Sequence, residues 1–258
     1  MSPVIDALRQ SQNRFTSVVS PLSDTAVRDR SYDDEWSIAD VASHLGSQAE
    51  IFGLFLDAGI DGTEPPNHDA FLAIWDRWNA KPPTEQVSDS VAANESLVAR
   101  IEEIPTDDRG AFAVEMFGGT RDLDGLAAMR LSEHAVHTWD IAVALDPEAT
   151  VAPEAVGLLV DQLPGTASRG KSVPGAAPVV VATTDPARTY RITFEPDLSV
   201  QVVDGVAAAD LTLPAEAFLR LVYGRLDPAH TPSSVTGDTA RLADPQEGLP
   251  RLLSCSAG

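Results

Sequence analysis

The spacing of apolar residues changes once along the chain, and this change limits the folds that the sequence can adopt. Up to about residue 146, apolar residues recur every three or four positions, which is typical of amphipathic helices. From Pro178 onward, segments such as 179–184 and 189–194 are β-branched or alternate between apolar and polar residues, as strands do. A chain of 258 residues can bury two cores. We therefore predict a two-domain α+β protein, divided into 1–146 and 147–258.

The first domain is predicted to be a four-helix bundle. Four long amphipathic segments and one shorter segment are separated by prolines or polar stretches, at about 4–19, 38–55, 70–79, 87–104 and 120–145. Ser37 and Asp40 form a variant of the capping-box pattern at the start of the second helix. The piece 111–117 is expected to be extended. In such a bundle, facing helices can bring distant side chains to one point.

The second domain is predicted to combine helices with an antiparallel sheet. One helical stretch at 153–163 precedes four strands at about 179–184, 189–194, 198–203 and 210–213. A turn at Pro196 and Asp197 predicts a hairpin between two of them. A helix then runs from Pro214 to Gly224, and a last helical piece is expected near 245–253.

Charge and hydropathy exclude several classes of function. The net charge is −21 without a basic patch, which argues against binding to nucleic acid or to an anionic membrane. No apolar run approaches the roughly 18 residues of a membrane span, and the first residues lack a secretory signal, so we expect a cytoplasmic protein. The only cysteine is Cys255, so any metal must be bound by His, Asp or Glu side chains.

A polar stripe lies within the apolar helix predicted at 120–145. Its pattern is Arg130-x-x-Glu133-x-x-x-His137-x-x-Asp140, and residues at this spacing share one helix face. Glu133 and His137, one turn apart, could direct an oxygen and a nitrogen at one metal ion. Asp140 is placed to accept the other ring N–H of His137. The alternative is a hydrogen-bonded or solvated face without a metal.

A metal site needs a third ligand, and His44 is the best candidate. It lies in the apolar second helix, where a histidine can also be a hydrogen-bonded core residue. His68 and His230 lie in stretches rich in Gly or Pro and are weaker candidates. His134 could pair with His137 instead, but it lies about 100° round the helix from Glu133.

These residues together carry a resemblance to a known family, which covers nearly the whole chain. The matching positions are Trp36-Ser37, His44-Leu45, the stripe from Arg130 to Asp140, and Gly224-Arg225 at a helix end. The sequence resembles the mycothiol-dependent maleylpyruvate isomerase family. That resemblance implies a DinB-like four-helix bundle followed by a domain similar to sterol-carrier-protein-like folds. It further implies Zn²⁺ bound by His44, Glu133 and His137, mycothiol as cosubstrate, and an actinobacterial source.

Two arginines are candidate catalytic residues. Arg130 lies on the ligand side of its helix, where it could bind a substrate carboxylate or form a salt bridge with Asp140 or Glu133. Arg225 follows Gly224 and could reach a cleft between the domains, or it could cap the carbonyls of the preceding helix.

Two hypotheses from different classes follow. In the first, a metal with three protein ligands keeps one coordination position open, where a thiol becomes a nucleophilic thiolate. The protein would then be a monomeric isomerase or S-transferase, with a small electrophile and a low-molecular-weight thiol as partners. In the second, it is a non-catalytic protein whose C-terminal domain holds a lipid-like or other apolar ligand.

Overall fold

A computed structural model describes residues 2–33, 35–167, 175–205 and 208–243. The chain divides into two compact units, Met1–Val151 and Ala152–Gly258, whereas the predicted boundary followed residue 146. Among the described residues, no helix is both long and apolar enough to cross a membrane. The predicted helical piece at 245–253 and Cys255 lie outside the described residues.

Four long helices form the body of the first unit, as predicted. The helices are α1 (Pro3–Val19), α2 (Ile38–Asp61), α3 (His68–Asn79), α4 (Pro83–Glu103), the short α5 (Thr106–Arg109) and α6 (Leu123–Leu145), with a 3₁₀ turn at Ala26–Arg28. Helix α2 packs against α4 and α6, and α1 packs against the same two helices. The two helices that carry the candidate ligands, α2 and α6, are therefore neighbours.

Apolar side chains from several helices fix α2 in the bundle. Phe15 of α1, Ile38 and Leu45 of α2 and Ile141 of α6 belong to one buried cluster and have no exposed surface. Burying a side chain of this size contributes about 1.5 to 3 kcal/mol. The cluster therefore holds the parts of α2 and α6 that carry the candidate ligands in a fixed relation.

The start of α2 follows the predicted capping box. The Asp40 backbone N–H donates to Ser37 Oγ (3.2 Å), and the Ser37 N–H donates to Asp40 Oδ2 (2.9 Å). Further along, Gly46 lets the Trp78 ring of α3 approach the helix, since a Cβ at this position would lie 2.3 Å from that ring. The segment around His44 is thus defined by a cap before it and by a packed tryptophan after it.

Helix α6 begins later than predicted. The sequence predicts a start near Thr120, but Gly119–Arg121 forms strand β2, which pairs with β1 (Val114–Met116) in an antiparallel hairpin. Asp122 then caps the helix, with its Oδ1 accepting the Gly125 N–H at 2.7 Å. The first strand lies in the piece expected to be extended, whereas its partner carries no alternating pattern.

The described residues of the second unit form a five-stranded sheet and short helices. The helices are α7 (Pro153–Leu159), α8 (Leu163–Ala167), α9 (Ala215–Val222) and α10 (Ala240–Ala243), with a 3₁₀ turn at Val160–Gln162; the strands are β3 (Val179–Thr184), β4 (Arg188–Thr193), β5 (Ser199–Val202), β6 (Leu211–Pro214) and β7 (Thr236–Gly237). The strand order is β5-β4-β3-β6-β7. The predicted hairpin is confirmed, because β4 and β5 pair antiparallel across Pro196 and Asp197.

One pairing in this sheet departs from the expected antiparallel arrangement. Strand β6 runs parallel to β3, while the other three neighbouring pairs are antiparallel. The chain leaves β3, completes the β4–β5 hairpin on one side, and returns to the other side of β3 in the same direction. The sheet is therefore mixed, although most of its pairs are antiparallel.

Candidate metal centre

Three potential metal ligands converge between α2 and α6. Glu133 Oε2 lies 3.7 Å from His44 Nε2 and 3.6 Å from His137 Nε2. One ligand atom from each residue lies within 4.8 Å of the other two. Ligand atoms at 2.0 to 2.2 Å from a tetrahedral zinc ion are about 3.3 to 3.6 Å apart. The two carboxylate–imidazole distances therefore fit such an ion after shifts of a few tenths of an ångström.

The helices place these three side chains by their spacing. Glu133 and His137 are four residues apart on α6, so their side chains share one face, and α2 supplies His44 from its second turn. The side chain of His137 is 8% exposed, that of His44 22% and that of Glu133 35%. The cluster is therefore open to solvent on the side of Glu133.

The protonation states of the cluster suit metal binding. Burial lowers the pKa of His44, so its imidazole stays neutral. Burial opposes ionisation of Glu133, but the neighbouring His137 and His44 outweigh this and hold the pKa of its carboxyl well below its usual range. A carboxylate beside neutral imidazole is the form that binds a metal ion.

Two further residues support His137. Its Nδ1 lies 2.9 Å from Oδ2 of Asp140, which has no exposed surface. A carboxylate only accepts hydrogen bonds, so Nδ1 carries a proton, and in the neutral ring the lone pair of Nε2 faces the cluster. The ring of Trp36 stacks over His137 with centroids 6.3 Å apart, and lies 5.2 Å from the ring of His44. Trp36 therefore forms an apolar wall beside both imidazoles.

Gln48 also belongs to this site, although it is not among the residues that the sequence predicts there. Its Nε2 lies 3.0 Å from His44 Nε2 and 3.3 Å from Glu133 Oε2. The signal in the sequence was its position four residues after His44, which places both side chains on one face of α2. The site thus contains a neutral hydrogen-bond donor besides its ligands.

Arg130 has other partners than those expected. The sequence offers a salt bridge with Asp140 or Glu133, or a contact with a substrate carboxylate. The guanidinium is fully buried and donates to Gln48 Oε1 (3.2 Å), Leu45 O (2.9 Å) and Asn94 Oδ1 (2.5 Å), and a catalytic role of Arg130 stays a prediction. Burial lowers its pKa to about 10, so it is still a cation at neutral pH.

His134 faces away from the cluster. Its Nδ1 lies 2.8 Å from Ser11 Oγ of α1, and its ring packs edge-on against Phe15. Burial, with the nearby Arg130, holds the pKa of His134 well below its usual range. It is thus a neutral core histidine, and Glu133 takes the place beside His137.

The other sequence candidates lie elsewhere. His68 begins α3 beside Phe71, and His230 pairs through Nδ1 with Asp227 at 2.9 Å. Arg225 follows α9 in the second unit, where its Nη1 donates to the carbonyl of Tyr223 at 2.7 Å. This contact is of the capping kind that the sequence offered as the alternative, and a catalytic role of Arg225 stays a prediction.

Comparison with known proteins identifies the family. The family model described as the mycothiol maleylpyruvate isomerase N-terminal domain matches residues 8–142, and the model of the MDMPI C-terminal domain matches residues 150–244. The chain belongs to this family. The first match contains His44, Glu133 and His137, and the second contains Arg225. No curated protein sequence matches the chain.

Two solved structures are similar to the chain over nearly its whole length. They are crystal structures of the mycothiol-dependent maleylpyruvate isomerase and of a histidine-to-alanine mutant of it. Each is 13% identical to the chain, covers 96% of both chains and has a TM-score of 0.69. At this identity the similarity shows a shared fold. The ranges that the two family models match, 8–142 and 150–244, thus agree with the two units Met1–Val151 and Ala152–Gly258.

Proposed function

We propose that this member of the maleylpyruvate isomerase family binds a zinc ion through His44, Glu133 and His137 and uses mycothiol to isomerise maleylpyruvate or a related electrophile. The observation that carries the proposal is the convergence of these three side chains at distances of 3.6 to 3.7 Å about Glu133 Oε2. Membership of the family favours mycothiol as the thiol. The donor set favours zinc as the metal. Two imidazoles and a carboxylate are typical of catalytic zinc.

His44, Glu133 and His137 would hold the zinc ion, which would supply an open coordination position and lower the pKa of a thiol bound there, so that a nucleophilic thiolate would be available near neutral pH. The chain's own residues prepare this position. Asp140 fixes the His137 tautomer, Trp36 screens both imidazoles from one side, and the partly exposed Glu133 marks the side from which small molecules enter. No protein cysteine is needed for this chemistry.

The chemistry has two possible outcomes. Addition of the thiolate sulfur to one alkene carbon turns the double bond into a single bond, about which the adduct can rotate. Loss of the same thiolate restores the alkene and completes an isomerisation, whereas protonation and release of the adduct completes an S-transfer. Both reactions need the same three ligands. The family favours isomerisation, and we propose it as the activity.

The test is incubation of zinc-loaded protein with mycothiol and maleylpyruvate, followed by NMR and mass spectrometry. We expect the trans isomer to form while mycothiol is recovered unchanged. A stable conjugate with maleylpyruvate or with another electrophile would indicate a transferase instead. His44→Ala should abolish the reaction, and His68→Ala, which changes an exposed histidine outside the cluster, should not. Zinc-loaded protein that converts none of a panel of electrophiles would contradict the proposal.

A further inference from the structure

The carboxamide of Gln48 links the ligand cluster to a buried arginine. Its Oε1 accepts a hydrogen bond from Arg130 Nη1 at 3.2 Å, while its Nε2 lies 3.0 Å from His44 Nε2 and 3.3 Å from Glu133 Oε2. A guanidinium can only donate, and a carboxylate can only accept. The two neighbours therefore set the orientation of the amide, with its oxygen towards Arg130 and its NH₂ group towards the cluster.

Arg130 is itself held in place by α4 and α2. Its Nη2 donates to Leu45 O at 2.9 Å and to Asn94 Oδ1 at 2.5 Å, and Asn94 Nδ2 donates to Ser90 O at 2.9 Å. These acceptors are neutral, so the buried positive charge has no hydrogen-bonded carboxylate among the described residues. Burying such a charge is costly. The residue whose burial carries this cost, Arg130, is also the residue that orients Gln48.

A bound metal changes what Gln48 can do. A neutral imidazole nitrogen has one lone pair, so His44 Nε2 cannot bind a metal ion and accept from Gln48 at the same time. The Gln48 N–H that now points to His44 therefore becomes available when a metal binds, while Oε1 is still held by Arg130. The NH₂ group of the partly exposed Gln48 lies at the cluster, so a small molecule bound at the metal centre can accept from this N–H.

We propose that Gln48 donates a hydrogen bond to an anionic oxygen of the substrate at the metal centre, and that Arg130 is the positioning residue that directs it there. The inference rests on the proposed function. Thiolate addition to a double bond conjugated with a carbonyl moves an electron pair onto the carbonyl oxygen. A fixed donor beside that oxygen stabilises the charge that develops. The substrate class is thus an electrophile that carries a carboxylate or an enolisable carbonyl.

The test uses formate, the smallest carboxylate, titrated into Co²⁺-loaded protein and followed by the visible absorption of cobalt. The variant is Gln48→Met, which keeps the length of the side chain and removes the donor. Cobalt should load equally into wild type and variant, because Gln48 is not a ligand. Formate should bind about 10- to 100-fold more weakly to the variant, as expected for one lost hydrogen bond to a charged group. Gln10→Met, which changes an exposed glutamine of α1, is the control and should match wild type.

Arg130→Lys tests the positioning role. A lysine keeps the charge, but its ammonium group lacks the planar set of donors with which Arg130 contacts Gln48, Leu45 and Asn94. Formate affinity should fall as in Gln48→Met, and the double variant should be no weaker than Gln48→Met alone. Equal formate affinity in wild type and Gln48→Met, with cobalt loaded in both, would overturn this inference and leave the proposed function standing. A wild-type protein that loads no metal would overturn both.

Discussion

The Nδ1 atom of His137 lies 2.9 Å from Oδ2 of the fully buried Asp140, one turn further along the same helix. This bond fixes the ring so that Nε2 faces Glu133 Oε2 at 3.6 Å. A carboxylate also increases the electron density on the imidazole, which makes the ring a better ligand. Asp140 should therefore affect the metal without touching it.

Asp140→Asn should weaken zinc binding by about 10- to 100-fold, because the amide removes the negative charge behind His137. Competition with a chromophoric chelator measures the change. Asp227→Asn is a matched control, since Asp227 pairs with His230 in the same way but outside the cluster. Unchanged zinc affinity in Asp140→Asn would show that the pair has no influence on the metal.

Glu133→Gln should weaken zinc binding further, by about another 10-fold or more, because a neutral amide is a much poorer ligand than a carboxylate. Equilibrium dialysis of both variants at one zinc concentration gives the order of their zinc affinities. If Glu133→Gln held zinc as tightly as Asp140→Asn, the carboxylate at the centre of the cluster would not be a ligand.

The buried His134 should make the metal-free protein sensitive to acid. Its pKa in the folded state is well below its usual range because of burial, whereas the unfolded chain takes up a proton below about pH 6.5. The unfolded state thus binds more protons, so the free energy of unfolding should decrease as the pH falls below about 6.5. This histidine contributes at most about 1.4 kcal/mol per pH unit.

His134→Gln should reduce that slope, whatever its effect on stability at neutral pH. Urea unfolding of EDTA-treated protein at several pH values between 5 and 7.5 measures it, and removal of metal prevents its release from contributing. The same pH dependence in wild type and variant would argue that His134 already carries a proton in the folded state.

Gly46→Ala should destabilise the first unit by about 1 to 3 kcal/mol, since the added Cβ would lie 2.3 Å from the ring of Trp78. Gly157→Ala is the matched control, because Gly157 lies within α7 and a Cβ there meets nothing within 4 Å. Alanine favours a helix by about 1 kcal/mol, so this variant should be as stable as wild type or more so. Urea unfolding of the two variants should separate them.

Local patterns predicted much of the fold. Ser37 and Asp40 follow a known capping pattern, and the spacing of Glu133, His137 and Asp140 places them on one face of any helix that contains them. Strand β2 is not predictable in this way, because it begins with a glycine and its three residues are too few to show alternation. The parallel β3–β6 pair depends on where the chain returns after a hairpin, which no local pattern specifies.

The candidate ligand set rests on a family resemblance, whereas the residues around it are seen only in the structure. His44 alone could have been a core histidine, and only the approach of α2 to α6 brings it to Glu133. The network of Gln48, Arg130 and Asn94 joins three helices, at separations of 82 and 36 residues in the sequence. Side chains so far apart in sequence meet only when the helices pack. The helical period of the sequence does not specify which side chains come together.

The most direct test of the metal centre is the zinc content of the purified protein after reconstitution with Zn²⁺ and desalting. Wild type and His68→Ala should each retain about one zinc ion per chain, and His44→Ala should lose it, because the two residues left on α6 make a weak site. Elemental analysis of the three proteins gives the answer. Wild-type protein that is free of metal, above all if it carries a bound lipid, or His44→Ala protein with a full zinc ion, would contradict a centre built from His44, Glu133 and His137.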